Sequence, residues 1–225
     1  MTEGKLEKKR IAEASAGSTA KSLAYYCQKF DIPCTLFVPD FLEEKELDWL
    51  RKYGAEVQAL PMDIGWDIFK KYCQRPDVVA FNQQFDSGKR LFYHELGQRI
   101  SKEMGPIDCL VGTVGTGHSL LGTAEGMTTR PLVVTAEPKE ASISGIRNIE
   151  SLRYGPEDPC IPSLFDRRIL VSVSEFFPNT QLTSSLGRIA VTDSFRVALG
   201  AVSTLLHETK IDTLFVLGAA NRRAE

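Results

Sequence analysis

The chain has 225 residues, 43% of them apolar and 25% charged, enough to build one large domain or two small ones with a real core and no covalent staples. With 27 Lys and Arg against 29 Asp and Glu, the net charge of −2 leaves no basic surplus for a nucleic-acid backbone, and the KLEKKR run near the start reads as a solvated segment. The five cysteines (Cys27, Cys34, Cys73, Cys109 and Cys160) are odd in number, widely spaced and without a C-x-x-C pair, which argues for buried or idle thiols in a reducing compartment and against a disulfide framework or a zinc site. No apolar run approaches a membrane span and no signal-peptide core is visible, so a cytoplasmic protein is expected.

In chain order, strands are expected at RIAEA (10–14), CTLFVP (34–39), AEVQAL (55–60), VVAFN (78–82), CLVGTV (109–114), LVVTAEP (132–138), ILVSVSE (169–175) and TLFVLG (213–218). Helical patterns lie between them. Leu23, Ala24, Cys27 and Phe30 share one face at i, i+1, i+4, i+7, and Leu42, Leu47, Leu50 and Tyr53 repeat a similar pattern. Gly54 closes the second helix, and Gly105-Pro106 closes a helix at 89–104. That Gly-Pro pair also marks an expected boundary between lobes 1–105 and 106–225. Residues 139–167 are less regular, and their prolines and glycines suggest long loops. Near-continuous apolar strands joined by helices give a doubly wound α/β fold with mostly parallel sheets.

In such sheets ligands bind outside the carboxyl ends of the strands, where strand order reverses. Two strand–helix turns stand out. The first, in EASAGSTAKSLAYYC (13–27), places Ser15, Ala16, Gly17, Ser18 and Thr19 between strand and helix. The second is Gly115-Thr116-Gly117-His118-Ser119 within VGTVGTGHSLLG (111–122). Glycines let backbone N–H groups approach a ligand, hydroxyls add donors, and a helix N-terminus favours an anion. A plain tight connection also fits both stretches. Neither is a Walker loop, and the spacing of Gly112, Gly115 and Gly117 is not a clean G-x-G-x-x-G.

Taken together, the motifs resemble those of the fold-type II pyridoxal-phosphate enzymes, the group of cysteine synthase and the tryptophan synthase β-subunit. EASAGSTAKSLAYYC is similar to that family's T-S-G-N-T-G segment, and DIPCTLFVPDFLEEKELDWLRKYGAEVQALP to its next helix–strand–helix–strand. NQQF (82–85) with YHELGQRI resembles its Q-F…T-G-P-E-I stretch, GTGHS its phosphate cup, and VVTAEP its V-x-V-E-P strand. The likeness covers residues 8–145 well and 168–223 loosely. It implies a two-lobed fold with pyridoxal phosphate between the lobes. Gly115, Thr116, Gly117 and Ser119 would hold the phosphate, with His118 standing where the family has glycine, either adding a donor or crowding the site, or simply lying on the loop surface. Ser15, Ala16, Gly17, Ser18 and Thr19 would form the loop that binds a substrate α-carboxylate. Ser18 would also stand where an asparagine usually meets the cofactor ring hydroxyl. Gln84 would help hold the carboxylate, although a glutamine capping a strand end is the alternative.

The sequence also departs from the family. The Schiff-base lysine lies upstream of the asparagine loop in a P-x-G-S-F-K-like motif, and Lys5, Lys8 and Lys9 fall instead in the charged lead-in to the first strand. No catalytic lysine is assigned. At the last strand, Ala219 and Ala220 replace the hydroxyl that faces the pyridine nitrogen, with Asn221 as a possible substitute. The Val191–Leu214 segment is shorter than the family's, and its G-S-S-G-A helix start is not recognisable.

Three readings follow. One is an enzyme of β-elimination or β-replacement on a small amino acid whose N-terminal segment is missing or encoded separately. The others are a non-catalytic relative that binds a ligand or partner, and a Rossmann-like nucleotide binder. Absent first strands would expose sheet edge and apolar surface, so a homodimer or a partner chain is expected to cover them. Neither nucleic acid nor membrane is expected as a partner.

Overall fold

Aliphatic and β-branched runs extend and pair close to where their pattern predicts. The computed structural model describes residues 9–139, 143, 145–151, 157–172, 182–184, 187–189, 192–208 and 211–218. The strands are β1 (Arg10–Ala14), β2 (Cys34–Pro39), β3 (Glu56–Leu60), β4 (Val78–Ala80), β5 (Cys109–Thr113), β6 (Leu132–Pro138), β7 (Arg167–Val171), β8 (Leu182–Ser184), β9 (Gly187–Ile189) and β10 (Leu214–Leu217). The helices are α1 (Ser18–Lys29), α2 (Glu44–Lys52), α3 (Met62–Tyr72), α4 (His94–Met104), α5 (His118–Gly126) and α6 (Asp193–Glu208). Two compact units, Met1–Gln83 and Gln84–Glu225, divide the chain earlier than the expected boundary at Gly105-Pro106.

The first unit is a parallel sheet in the order β3-β2-β1-β4, with Ile11 beside Cys34 and Val79. Its strands alternate with period two. From β2, Cys34, Leu36 and Val38 face α1 and α2, whereas Phe37 packs with Ala12 and Val78 against Phe69 of α3. Both faces are therefore covered, as a parallel sheet requires. On α1 the predicted apolar face holds for Leu23, Ala24 and Cys27, joined by Ala20. Phe30 departs from it and is 63% exposed, because α1 ends at Lys29 and Phe30 leaves the helical path as its C-cap.

The second unit contains a parallel sheet in the order β10-β5-β6-β7 and a separate antiparallel pair, β8–β9. Leu110 and Val133 pack against Ile100, Leu120 and Ala124 on one face; Val111, Val134 and Ala136 pack against Val197, Ala198 and Ala201 of α6 on the other. β7 begins ahead of the predicted Ile169 and ends at Val171, and the rest of the predicted run, 173–175, lies outside the described residues. The predicted helix at 89–104 divides into a 3₁₀ turn over Ser87–Tyr93 and α4. Asp86 starts the turn by accepting from the Gly88 N–H, and Gly105, at φ 78°, stops α4. This whole stretch belongs to the second unit because it lies directly on α5. A Cβ on Gly97 would stand 2.1 Å from the Thr123 carbonyl oxygen, and one on Gly122 2.3 Å from that of Arg90.

Burial of the cysteines pushes the thiols of Cys73 and Cys109 up to about 11. Among the described residues no helix is long and apolar enough to cross a membrane.

The helix contact predicts opposite outcomes for two glycines. Gly97→Ala forces backbone apart and should destabilise the protein by about 3 kcal/mol. Gly65→Ala sits inside α3 with only Leu60 Cβ nearby, at 3.6 Å, and should stabilise by about 0.5–1 kcal/mol. Urea unfolding midpoints of both variants check the pair of signs.

Candidate functional site

In the first unit, winding reverses between β1 and β4, so the β1–α1 turn opens at the switch in strand order. Ser15 extends the sheet by donating its N–H to the Phe37 carbonyl at 3.0 Å. Gly17 is the N-cap of α1 with an extended backbone, no side chain caps the helix, and the first turn carries no acidic residue. The first helical bond runs from Lys21 N–H to the Gly17 carbonyl, so the N–H groups of Ser18, Thr19 and Ala20 precede it. Nothing lies within 4 Å of a Cβ placed on Gly17. Ser15, Ala16 and Thr19 are half-buried, and Gly17 and Ser18 are exposed. The turn therefore presents uncapped N–H groups beside open space, the requirement for holding a carboxylate.

Two residues not singled out in the sequence organise this turn. Glu13 on β1 is fully buried. One of its oxygens accepts from Ala14 N–H at 2.9 Å and the other from Gln83 N–H at 3.0 Å. Asn82, in the left-handed region at φ 56°, turns the chain after β4, and the Gln83 amide that follows meets Glu13. Gln83 Oε1 then accepts from the Thr19 hydroxyl at 2.5 Å. The glutamine that meets α1 is thus Gln83. Gln84 is buried in the second unit, where its Nε2 donates to Asp158 Oδ1 at 3.4 Å. The signal available in the sequence was an acid inside an apolar strand and a doubled glutamine.

In the second unit β5 is where strand order reverses, with β10 on one side and β6 on the other. Its turn leads into α5, whose N-cap Gly117 is left-handed at φ 82°, again with no side-chain cap and no acid in the first turn. His118 N–H donates to Thr116 Oγ1 at 3.4 Å, and Leu121 N–H closes the first helical bond onto Gly117. Ser119 and Leu120 N–H groups precede that bond. Gly115, Thr116 and Ser119 are half-buried, whereas Gly117 and His118 are buried; His118 is 4% exposed, so it is not a loop-surface histidine. Protein neighbours explain both glycines of the turn. A Cβ on Gly115 would lie 2.7 Å from the Gly145 carbonyl oxygen, and one on Gly117 2.8 Å from Cys160 Sγ. Nearby, the Lys89 hydrogen bond outweighs burial and holds the Asp86 carboxyl below its usual value, with a further contribution from His118.

The chemistry of this donor set fits a phosphate: half-buried hydroxyls, uncapped N–H groups and no competing acid at the helix start. Of the three lysines weighed in the sequence, Lys9 precedes the amino end of β1, whereas the α1 turn follows its carboxyl end. Lys5 and Lys8 lie outside the described residues, as do Ala219, Ala220 and Asn221.

A family model described as pyridoxal-phosphate dependent enzyme matches residues 2–174. Over 122 residues, half of this chain, the sequence is 29% identical to a cysteine synthase of Dictyostelium discoideum; over 123 residues it is 26% identical to cysteine synthase 1 of Neurospora crassa. Each match spans 32% of the length of that curated relative. Among solved structures, an O-acetylserine dependent cystathionine beta-synthase from Helicobacter pylori superposes with a TM-score of 0.73 at 22% identity, over 96% of this chain and 76% of that one. A hydrogen sulfide-producing enzyme from Fusobacterium nucleatum gives 0.76 at 19% identity, over 96% and 71%. At these identities the structural likeness establishes the α/β fold.

The buried Glu13 yields a direct test. In Glu13→Gln an NH2 group replaces one accepting oxygen and faces a backbone N–H, which should cost about 2 kcal/mol. Chemical denaturation of the variant against the parent measures it.

Proposed function

The chain belongs to the pyridoxal-phosphate dependent enzyme family, and from that premise we propose that it is a cysteine-synthase-like protein whose ligands are pyridoxal phosphate and a small amino acid. The proposed reaction class is β-elimination or β-replacement on a substrate of the serine, O-acetylserine or cysteine kind. The observation that supports this reading is the occurrence of two uncapped, small-residue strand–helix turns, one at the reversal of strand order in each sheet.

In the proposed division of labour, Thr116, Ser119 and the first N–H groups of α5 hold the phosphate, with Gly115 and Gly117 shaping the turn and His118 buried at its base. Ser15, Ala16, Gly17, Ser18 and Thr19 receive the substrate carboxylate on the first N–H groups of α1. Gln83 accepts the Thr19 hydroxyl proton and so fixes that side chain at the start of α1, leaving the carboxylate to the backbone N–H groups. A direct grip by Gln84 would require its amide nitrogen to leave Asp158. When bound, pyridoxal phosphate supplies an electron sink that acidifies the substrate α-proton. No lysine of this chain is assigned as covalent anchor or base, so we infer non-covalent binding and little turnover by these 225 residues alone.

Absorbance titration with pyridoxal phosphate tests the proposal. The parent should bind without a band that borohydride fixes, and Thr116→Ala with Ser119→Ala should weaken binding at least about tenfold, as expected for hydrogen bonds to a charged group. No binding of any phosphate compound would favour a partner-binding relative, and a preference for nucleotides would favour the Rossmann-like reading.

We further propose that the chain self-associates or docks on a partner. The support is the exposed apolar set Leu91, Phe92 and Leu96, of which Phe92 is 74% exposed. Light scattering should give a mass above that of the 25.0 kDa monomer, and a monodisperse monomer that also binds no apolar-surface dye would count against both forms of association.

A further inference from the structure

Below the α5 turn, within the second unit, lies a buried ion pair whose only part so far is that Asp158 holds Gln84. Arg147 and Asp158 are 3% and 2% exposed. Their contact is bidentate, Nη1 to Oδ2 at 2.5 Å and Nη2 to Oδ1 at 3.2 Å. Asp158 Oδ1 also accepts from Cys160 N–H at 3.0 Å and from Gln84 Nε2 at 3.4 Å. Burial works against the Arg147 charge, but Asp158 and Cys160 outweigh it and hold the guanidinium above its ordinary value.

The residues tied by this pair touch the turn at three successive places. Arg147 N–H donates to the Val114 carbonyl at 2.8 Å, where the chain leaves β5. The Gly145 carbonyl occupies the space of a Cβ on Gly115, and Cys160 Sγ that of a Cβ on Gly117. Packing apolar groups in place of a buried pair commonly keeps or raises stability, so stability alone does not explain this one. What an apolar pair cannot reproduce is the planar fork that fixes two irregular segments in one register.

We propose that the Arg147–Asp158 pair is the positioning device of the Val114–His118 turn, clamping the segments that carry Gly145 and Cys160 so that the turn presents the first N–H groups of α5 to an anion. The inference rests on the phosphate reading of that turn for its purpose, and on the contacts above for its geometry. A rival role is electrostatic, with the Arg147 charge itself attracting the anion. The two differ in sign for Asp158→Asn, which leaves the charge in place but breaks the clamp.

The test compares the 225-residue parent with Arg147→Met/Asp158→Leu and with Asp158→Asn by hydrogen exchange of the ligand-free 114–121 peptide, thermal midpoint and titration with pyridoxal phosphate. The double variant should melt close to the parent, yet exchange about tenfold faster in that peptide and bind at least about tenfold more weakly. Asp158→Asn should also bind more weakly. Parent-like exchange at 114–121 in the double variant overturns the proposal, as does tighter binding by Asp158→Asn. Should the double variant not fold, Arg147→Lys decides. It keeps the charge and loses the fork, so faster exchange confined to 114–121 supports the clamp and parent-like exchange refutes it. A parent that binds no pyridoxal phosphate, with the exchange difference intact, refutes the functional reading alone and upholds the clamp.

Discussion

Parallel pairing is the constraint from which the rest of this molecule follows. Strands that run the same way cannot be joined by hairpins, so each connection crosses over the sheet and each strand–helix turn falls on the carboxyl edge. Where the winding changes direction, adjacent helices leave on opposite faces and a crevice opens. In the first unit that place is between β1 and β4, and in the second it is at β5. The small residues Ser15–Thr19 and Gly115–Ser119 occupy those two edges, which is why short side chains there leave backbone N–H groups accessible.

Buried charge lies close to these edges, and among the described residues each fully buried carboxylate accepts at least one backbone N–H. Glu13 receives those of Ala14 and Gln83. Glu137, fully buried on β6, receives the N–H of Ile149 and a bidentate contact from Arg168. Asp158 receives the N–H of Cys160 together with Arg147. An ionised carboxylate in the interior costs several kcal/mol unless its lone pairs are filled. Backbone donors fill part of that need without freezing a long side chain, and at Glu137 and Asp158 an arginine fork supplies the rest.

The sheet architecture was legible because period-two and near-continuous apolar runs have few other ways to bury themselves. The helices were legible where Leu47 and Leu50 or Ala24 and Cys27 repeat on one face. Local pattern failed where the outcome depended on a helix end or a neighbour. Phe30 continues the apolar spacing of α1 but lies one residue past its end. The 89–104 pattern gave no sign that its first part would tighten into a 3₁₀ turn held by Asp86. Of the glutamines 83 and 84, the family resemblance pointed to the second, and no local pattern showed that the left-handed Asn82 sends the first toward α1.

By itself the sequence determined the α/β class, the strand sequence and the two small-residue turns, because each is written in residues close together along the chain. Only the tertiary structure decided that Gln83 and Glu13 organise the first turn, that His118 is buried, and that Arg147, Asp158, Gly145 and Cys160 lie against the second. Those contacts join residues far apart in the chain. Their formation depends on how much desolvation a buried charge can recover from its surroundings, a quantity set by the packed neighbours and absent from any local pattern.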